Sequence, residues 1–451
     1  MDNSIIEKRK NQKKLYFKIT FILFLILLLI IPNSLTHDLI RERKGLEYQV
    51  QREIAQNWGP SQKIMGPVLS IPYTTFNKDG TIYARDILRV LPNKSKIDVT
   101  LSTEKRSKSI YSTILYGAKN NIKSSFTIPT KSDFNDQQIE ILWDEANIDI
   151  GFTSAASIDQ KVIITWNDIP YPMKSGASEK TIFRSGIHAD IKIDPSISEY
   201  SFETNIAING SEKIEFLPLA SNTIINMESP WKDPGFIGMP LPKKREISNA
   251  GFTAEWKTTE YNRPFKSIWT NNQVLIENFN SSFGVNLIQT VGHYQKNMRC
   301  SKYAILIIGL SFMVFFFYEM IKGNNIHPIQ YIFVGLSLSV FYLLLLSFSE
   351  HVGFDIAYFI ATIAVVSLIT WYSRYLLQGS ANVIVLYCIL SSLYGYIYTL
   401  LQMEEFALIV GSIGLFSALG IAMYLTRNMN WYDLSGSIKN QSKVENITIT
   451  V

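Results

Sequence analysis

Few residues in this chain are spaced for chemistry. Its five histidines are His37, His188, His293, His327 and His351. None falls in a metal-ligand spacing such as HExxH, where one helix face presents two imidazoles to zinc. No metal and no cofactor is expected. Glu350 and His351 are adjacent, and Asp355 lies four residues beyond His351. On a short loop this trio could hold a cation or relay a proton, but interfacial capping and loop polarity explain it as well and are preferred. Glu319 stands inside an apolar run, three residues before Lys322. A snorkelling, ion-paired glutamate is preferred there over a functional charge.

Nucleophilic serine chemistry finds equally little. Ser102-Thr103-Glu104-Lys105 matches SxxK, Ser229 to Lys232 matches it too, and Lys174-Ser175-Gly176 resembles KTG. Ser102, however, lies in strand-like alternation instead of opening a helix, and no S-x-N element intervenes, so these matches read as chance. There is no GxSxG, GxGxxG or P-loop. Cys300 and Cys388 lie at or inside apolar segments, so the polar middle of the chain has no internal disulfide and no Cys-rich metal site.

The elements that would position these groups come from the hydropathy pattern. Of the 451 residues, 47% are hydrophobic and only 18% charged, against about 25% charged in soluble domains. The deficit is local, confined to the first few dozen residues and to everything after about residue 303. Leu15 to Ile31 is apolar apart from Lys18 and Thr20, and Pro32-Asn33-Ser34-Leu35 lacks a small-x-small cleavage pattern. Residues 15–32 therefore read as an uncleaved signal anchor. The basic residues before it, Lys8 to Lys14, set membrane orientation in preference to binding nucleic acid. Five further runs, about 303–321, 329–348, 354–371, 383–401 and 406–425, each suffice to cross about 30 Å of hydrocarbon as a helix. Their short connections imply an antiparallel bundle over 303–425, and Gly411 and Gly414 could allow close helix packing in its last span. Lys322, Arg374 and Arg427 fall on one side, and Glu350, Glu404 and Glu405 on the other. The positive-inside rule then places residues 1–14, the tail 426–451 and both termini in the cytoplasm. The middles of the third, fifth and sixth spans carry no ionisable group, which counts against ion-coupled transport.

Residues 33–302 read as one exported domain. A helix over about Asp38 to Trp58 carries the stripe Leu46, Val50, Ile54 and Trp58, read as a stalk packed on its own domain, and Gly59-Pro60 ends it. The period then becomes two: Ile97, Val99 and Leu101; Ile139, Ile141 and Trp143; Ile148, Ile150 and Phe152; Tyr200 through Ile208; Phe252, Ala254 and Trp256. Asn209-Gly210 reads as a hairpin turn. Met227–Lys244, with four prolines, reads as a long loop and a candidate binding edge. The fold class is a membrane α-helical bundle of six transmembrane helices plus a large β-rich, antiparallel, sandwich-like extracytoplasmic domain.

Several long segments resemble the CreD family of inner-membrane proteins. They are RERKGLEYQVQREIAQNWGPSQKIMGPVLSIPY (41–73), GFTAEWKTTEYNRPF (251–265), FGVNLIQTVGHYQKNMRCSKYAILIIGL (283–310) with its continuation to residue 361, and LYGYIYTLLQMEEFALIVGSIGLFSALGIAMYLTRNMNWY (393–432). The resemblance covers nearly the whole chain and is weakest over about 100–200. It implies a bacterial inner (cytoplasmic) membrane protein associated with cell-envelope integrity and the stress response to wall damage, and it carries over no catalytic residues. GVNLIQTVGHYQ leads from the exported domain into the second span, which makes Phe283, Gln289, His293 and Tyr294 candidate binding or coupling residues. His327 and Gln330 beside Pro328 are a candidate cytoplasmic contact, although a proline at a helix start is favourable in itself. Glu319, Glu350, His351 and Asp355 complete the set. The expectation is a non-enzymatic protein embedded in the lipid bilayer that binds an envelope protein, lipid or wall component. The alternative is a transporter or lipid-handling membrane protein, and an intramembrane enzyme built on the Glu350 trio is the least favoured reading.

Overall fold

The computed structural model describes residues 16–427, except 78, 131–138, 179–181, 264–265, 271–280, 288–291, 323–325, 378 and 404–405. The N-terminal basic run, Gln289, Glu404, Glu405 and the tail beyond Arg427 lie outside the described residues. The chain forms two compact units: residues 47–290, and residues 1–46 with 291–451.

Among the described residues, the second unit holds the helices long and apolar enough to cross a membrane, six in all. They are α1 (Tyr16–Trp58), whose residues from 47 onward belong to the first unit, α3 (Ala304–Lys322), α4 (Pro328–Val352), α5 (Phe354–Ser373), α6 (Ser380–Gln402) and α7 (Ala407–Thr426). A short amphipathic helix, α2 (His293–Lys302), precedes α3 and belongs to this unit. The expected first span and the expected stalk are thus one helix. Its interruption is a turn at Leu29, three residues before Pro32. The proline ring cannot donate into the ladder and crowds the preceding turn, which loosens the helix locally without ending it. The bundle core includes Leu25, Leu29, Ile307, Phe312, Leu338, Phe341, Tyr358, Val365, Leu390 and Tyr394. Gly335 admits Leu29 and Phe312, and a Cβ there would overlap both.

The β-rich unit contains eighteen strands among the described residues. They are β1 (Gln62–Phe76), β2 (Ile82–Val90), β3 (Lys94–Lys108), β4 (Tyr111–Thr127), β5 (Ile139–Ile141) and β6 (Asn147–Phe152). Next come β7 (Ile163–Trp166), β8 (Ile169–Pro172), β9 (Lys174–Ser175), β10 (Gly186–Asp190), β11 (Glu199–Ser211) and β12 (Lys213–Leu217). The last are β13 (Asn222–Ser229), β14 (Pro234–Gly238), β15 (Lys244–Ser248), β16 (Gly251–Thr259), β17 (Ile268–Trp269) and β18 (Phe283–Leu287). One sheet runs β14-β18-β12-β1-β6-β10-β9, with β2, β5 and β17 attached; the other runs β15-β16-β13-β3-β4-β11-β7-β8. Their facing side chains share one core, from Ile97, Ile122, Phe202 and Trp256 on one sheet to Leu69, Ile148, Ile150 and Val285 on the other. The alternation explains this: in β11, Tyr200, Phe202, Thr204, Ile206 and Ile208 all point inward.

Two details depart from the sequence reading. The sheets are not purely antiparallel, because β1 pairs β12 and β3 pairs β13 in parallel. Each of these pairs is separated by a long excursion of the chain, the crossover that parallel pairing requires. Asn209-Gly210 is not a turn. Both residues continue β11, and the chain switches sheets at Glu212, where φ is 61°. Gly210 serves instead to let the Tyr116 ring of the neighbouring strand lie against the backbone, where a Cβ would overlap it. The tail of α1 does pack on this unit: Ile54 is buried, Trp58 Nε1 donates to the Tyr116 carbonyl at 3.2 Å, and Gln51 Nε2 donates to the Ser112 carbonyl at 3.0 Å. Leu46, by contrast, is exposed. The proline-rich segment contains an edge strand, β14, which opens with Pro234, the position where a missing N–H costs least.

Candidate functional site: polar clusters at the two ends of the bundle

In a hydrocarbon setting, polar side chains must satisfy one another, so the polar groups of the bundle gather into clusters. At one end the helix α2 supplies Tyr294 and Asn297, three residues apart and both on its buried face. The Tyr294 hydroxyl donates to Glu350 Oε1 at 2.8 Å. Arg43 Nε of α1 approaches the same oxygen at 3.8 Å. Asn297 Nδ2 donates to Ser349 Oγ at 2.7 Å and to the His293 carbonyl at 2.9 Å. The His293 ring lies on Tyr294, centroids 4.1 Å apart, and its buried Nε2 has no partner among the described residues. Burial holds this imidazole below its ordinary value of 6.5, and the Glu350 carboxylate opposes the effect only in part. Beside this group Asp355 gathers Gln402 Nε2 at 2.6 Å, the Tyr398 hydroxyl at 3.1 Å and Lys296 Nζ at 3.8 Å.

The other end is centred on Glu319, which is 6% exposed. Lys18 of α1 makes an ion pair with its carboxylate, the Tyr331 hydroxyl donates to Oε2 at 3.2 Å, and the Ile326 amide donates to Oε1 at 3.3 Å. Glu319 is ion-paired, but to Lys18, and it is buried instead of snorkelling towards the surface. That contact joins the start of α1 to the close of α3, as antiparallel spans require. Nearby, His327 and Gln330 form a capping box on α4: His327 Nδ1 accepts from the Ile329 amide at 3.3 Å, and Gln330 Oε1 accepts from the His327 amide at 2.8 Å. Their geometry is that of a helix start.

The Glu350, His351 and Asp355 trio does not assemble. Gly353, with φ at 81°, turns the chain between α4 and α5, and the two carboxylates take separate partners while His351 is exposed. Among the described residues no group of three His, Cys, Asp or Glu side chains could hold a metal ion. Phe283 is a core residue of the β unit, paired with Phe216 across β12 and packed on Trp256 at 5.8 Å. Arg43, Asn297, Ser349, Lys296, Tyr398, Gln402, Lys18 and Tyr331 were not singled out for these clusters, although Lys18 left a trace as a lone cation in an apolar run and Lys296 as a basic residue on the side where the positive-inside rule expects few.

A family model described as inner membrane protein CreD matches residues 14–432. The inner membrane protein CreD of Escherichia coli (strain K12) is 30% identical over 430 residues, which is 93% of this chain and 94% of that one. The chain belongs to the CreD family. Like the family, it is a multi-pass inner-membrane protein, and the six apolar helices are its spans. Two solved structures of an M1 zinc metallopeptidase from Deinococcus radiodurans overlap 43% of this CreD-family chain and 42% of their own. At 9% and 8% identity and TM-scores of 0.23 and 0.21, they carry no argument about fold or activity. Chemically, the Glu350 cluster is a tie: one carboxylate oxygen meets a phenol from α2 and a guanidinium from α1.

Proposed function

We propose that this CreD-family protein is a non-enzymatic support of cell-envelope integrity. Residues 47–290 are an exported unit that binds an envelope protein, lipid or wall component, and the bundle anchors that unit and passes on its state. The carrying observation is the double attachment at Glu350. Arg43 lies four residues before the β unit and Tyr294 four residues after it, and both meet Glu350 Oε1. A pull on either chain segment therefore reaches the same carboxylate. The loop charges support export of the unit and cytoplasmic termini. A polar groove of about 440 Å³ beside β15 suits a hydrogen-bonding ligand, and its lining includes Asp98, Asn226, Glu228 and Lys244. Met239 and Leu241 are exposed just before Lys244 and add apolar area. Ion-coupled transport has less support, because Glu319 and Glu350 sit near helix ends and are committed to partners.

The test complements cells lacking the protein with the full chain, with Glu350→Gln or with Glu228→Lys, and cross-links native membranes lightly. The wild type and Glu350→Gln should capture the same envelope component and Glu228→Lys should not. Neither variant should restore resistance to wall-damaging agents. Full resistance with Glu350→Gln, or turnover of a wall or lipid substrate by the reconstituted protein, overturns the reading.

A further inference from the structure

The helix α7 has no buried residue. It is fixed to the bundle in its first half, where the Tyr396 hydroxyl of α6 donates to the Val410 carbonyl at 2.5 Å. Gly414 makes this approach feasible, since a Cβ there would overlap the Tyr396 side chain. Beyond Gly414 a cleft of about 450 Å³ opens between α3, α6 and α7, walled by Met313, Phe317, Ile389, Leu393, Ala422 and Leu425 among others. Its volume lies in the range of small-molecule sites, and its wall is almost entirely carbon, with no acidic side chain.

Polar groups gather at one mouth of the cleft. Asn382 and Tyr318 line it there, with Asn382 Nδ2 at 3.4 Å from the Tyr318 hydroxyl. The chain places two exposed cations at this same end. Arg374 precedes the lining residue Leu377 by three positions, and Arg427 follows the lining residue Leu425 by two. The guanidinium of Arg427 rests on the Tyr424 ring, 4.0 Å from its centroid. Water gains nothing in a carbon-lined space, whereas a bilayer offers it hydrocarbon chains directly. Basic side chains at the membrane surface select anionic headgroups.

We propose that the cleft binds an anionic glycerophospholipid of the surrounding bilayer. One acyl chain fills the space between α3, α6 and α7, and the phosphate sits at the mouth with Arg374, Arg427 and Asn382. The site does not depend on the β unit or on any envelope partner.

The full chain, reconstituted in vesicles, is exposed to phosphatidylglycerol carrying a photoreactive diazirine in its acyl chain, and in parallel to phosphatidylcholine carrying the same group. Labelled peptides are mapped by mass spectrometry. Phosphatidylglycerol should label the cleft faces of α3, α6 and α7 well above the level at Phe359 and Ile363, which are exposed on α5. Ala422→Trp, which fills the cleft, should cut cleft labelling about tenfold and leave α5 labelling unchanged. Ala418→Leu provides a milder filling should the tryptophan disturb insertion. Arg374→Gln combined with Arg427→Gln should abolish the preference for phosphatidylglycerol over phosphatidylcholine. Cleft labelling no higher than on α5, or labelling that survives both filling variants, would overturn the proposal.

Discussion

The Tyr294 hydroxyl contributes a hydrogen bond to a carboxylate whose side chain is 12% exposed. Tyr294→Phe keeps the ring and removes that donor, so the bundle should lose about 2 kcal/mol in a denaturant titration in detergent. Tyr398→Phe should cost clearly less, because Asp355 is half-exposed and retains Gln402. The two variants falling equally would contradict this ranking. His293 adds a pH dependence. Its folded imidazole resists protonation more than the unfolded chain does, so stability is complete above 6.5 and declines as pH falls from 6.5 towards the lower folded value. Melting curves of wild type and His293→Asn across that range should converge in acid; parallel curves would show that His293 does not supply the slope. Sequence alone picked out Glu350, Tyr294, His293 and Asp355, which are unusual by type and place. It did not supply Arg43, Tyr398 or Gln402, because their approach depends on distant helices meeting and no local spacing encodes that.

Between helices, the buried pair of Lys18 and Glu319 holds α1 against α3. Removing one partner strands a charge in a dry setting, so Lys18→Met should cost about 3–5 kcal/mol, and Lys18→Met with Glu319→Met should recover most of it. Equal destabilisation in single and double variants, read by the same titration, would argue that the pair itself is stabilising. Among strands, Gly210→Ala should cost about 1–3 kcal/mol through overlap with Tyr116, and Gly210→Ala with Tyr116→Phe should not rescue it, because the ring itself is in the way. Element types were legible wherever period and length agreed, as for β3, β6, β11, β16 and the spans. The Asn-Gly signal misled because the same glycine that permits a turn also permits close backbone approach, and only the cross-strand neighbour decides between them.

At the scale of the molecule, the described residues form one large apolar core within residues 64–287 and another from residues 22–29 and 300–401. Heating the intact protein in detergent should accordingly give two calorimetric transitions, with Glu350→Gln lowering only one; a single transition would contradict separate cores. The division into a greasy part and a globular part was readable from composition. The strand order was not, since β1 alone pairs with β2, β5, β6 and β12, and long-range pairing leaves no local signature. The convergence of Arg43 and Tyr294 on one oxygen has a consequence for engineering and inheritance. The segments that flank residues 47–290 reach one carboxylate through their side chains, so the stretch between them should behave as an insertion with adjacent ends. Such an insertion can be excised, shortened or exchanged for another fold while the spans keep their order, and variation among relatives should concentrate inside it.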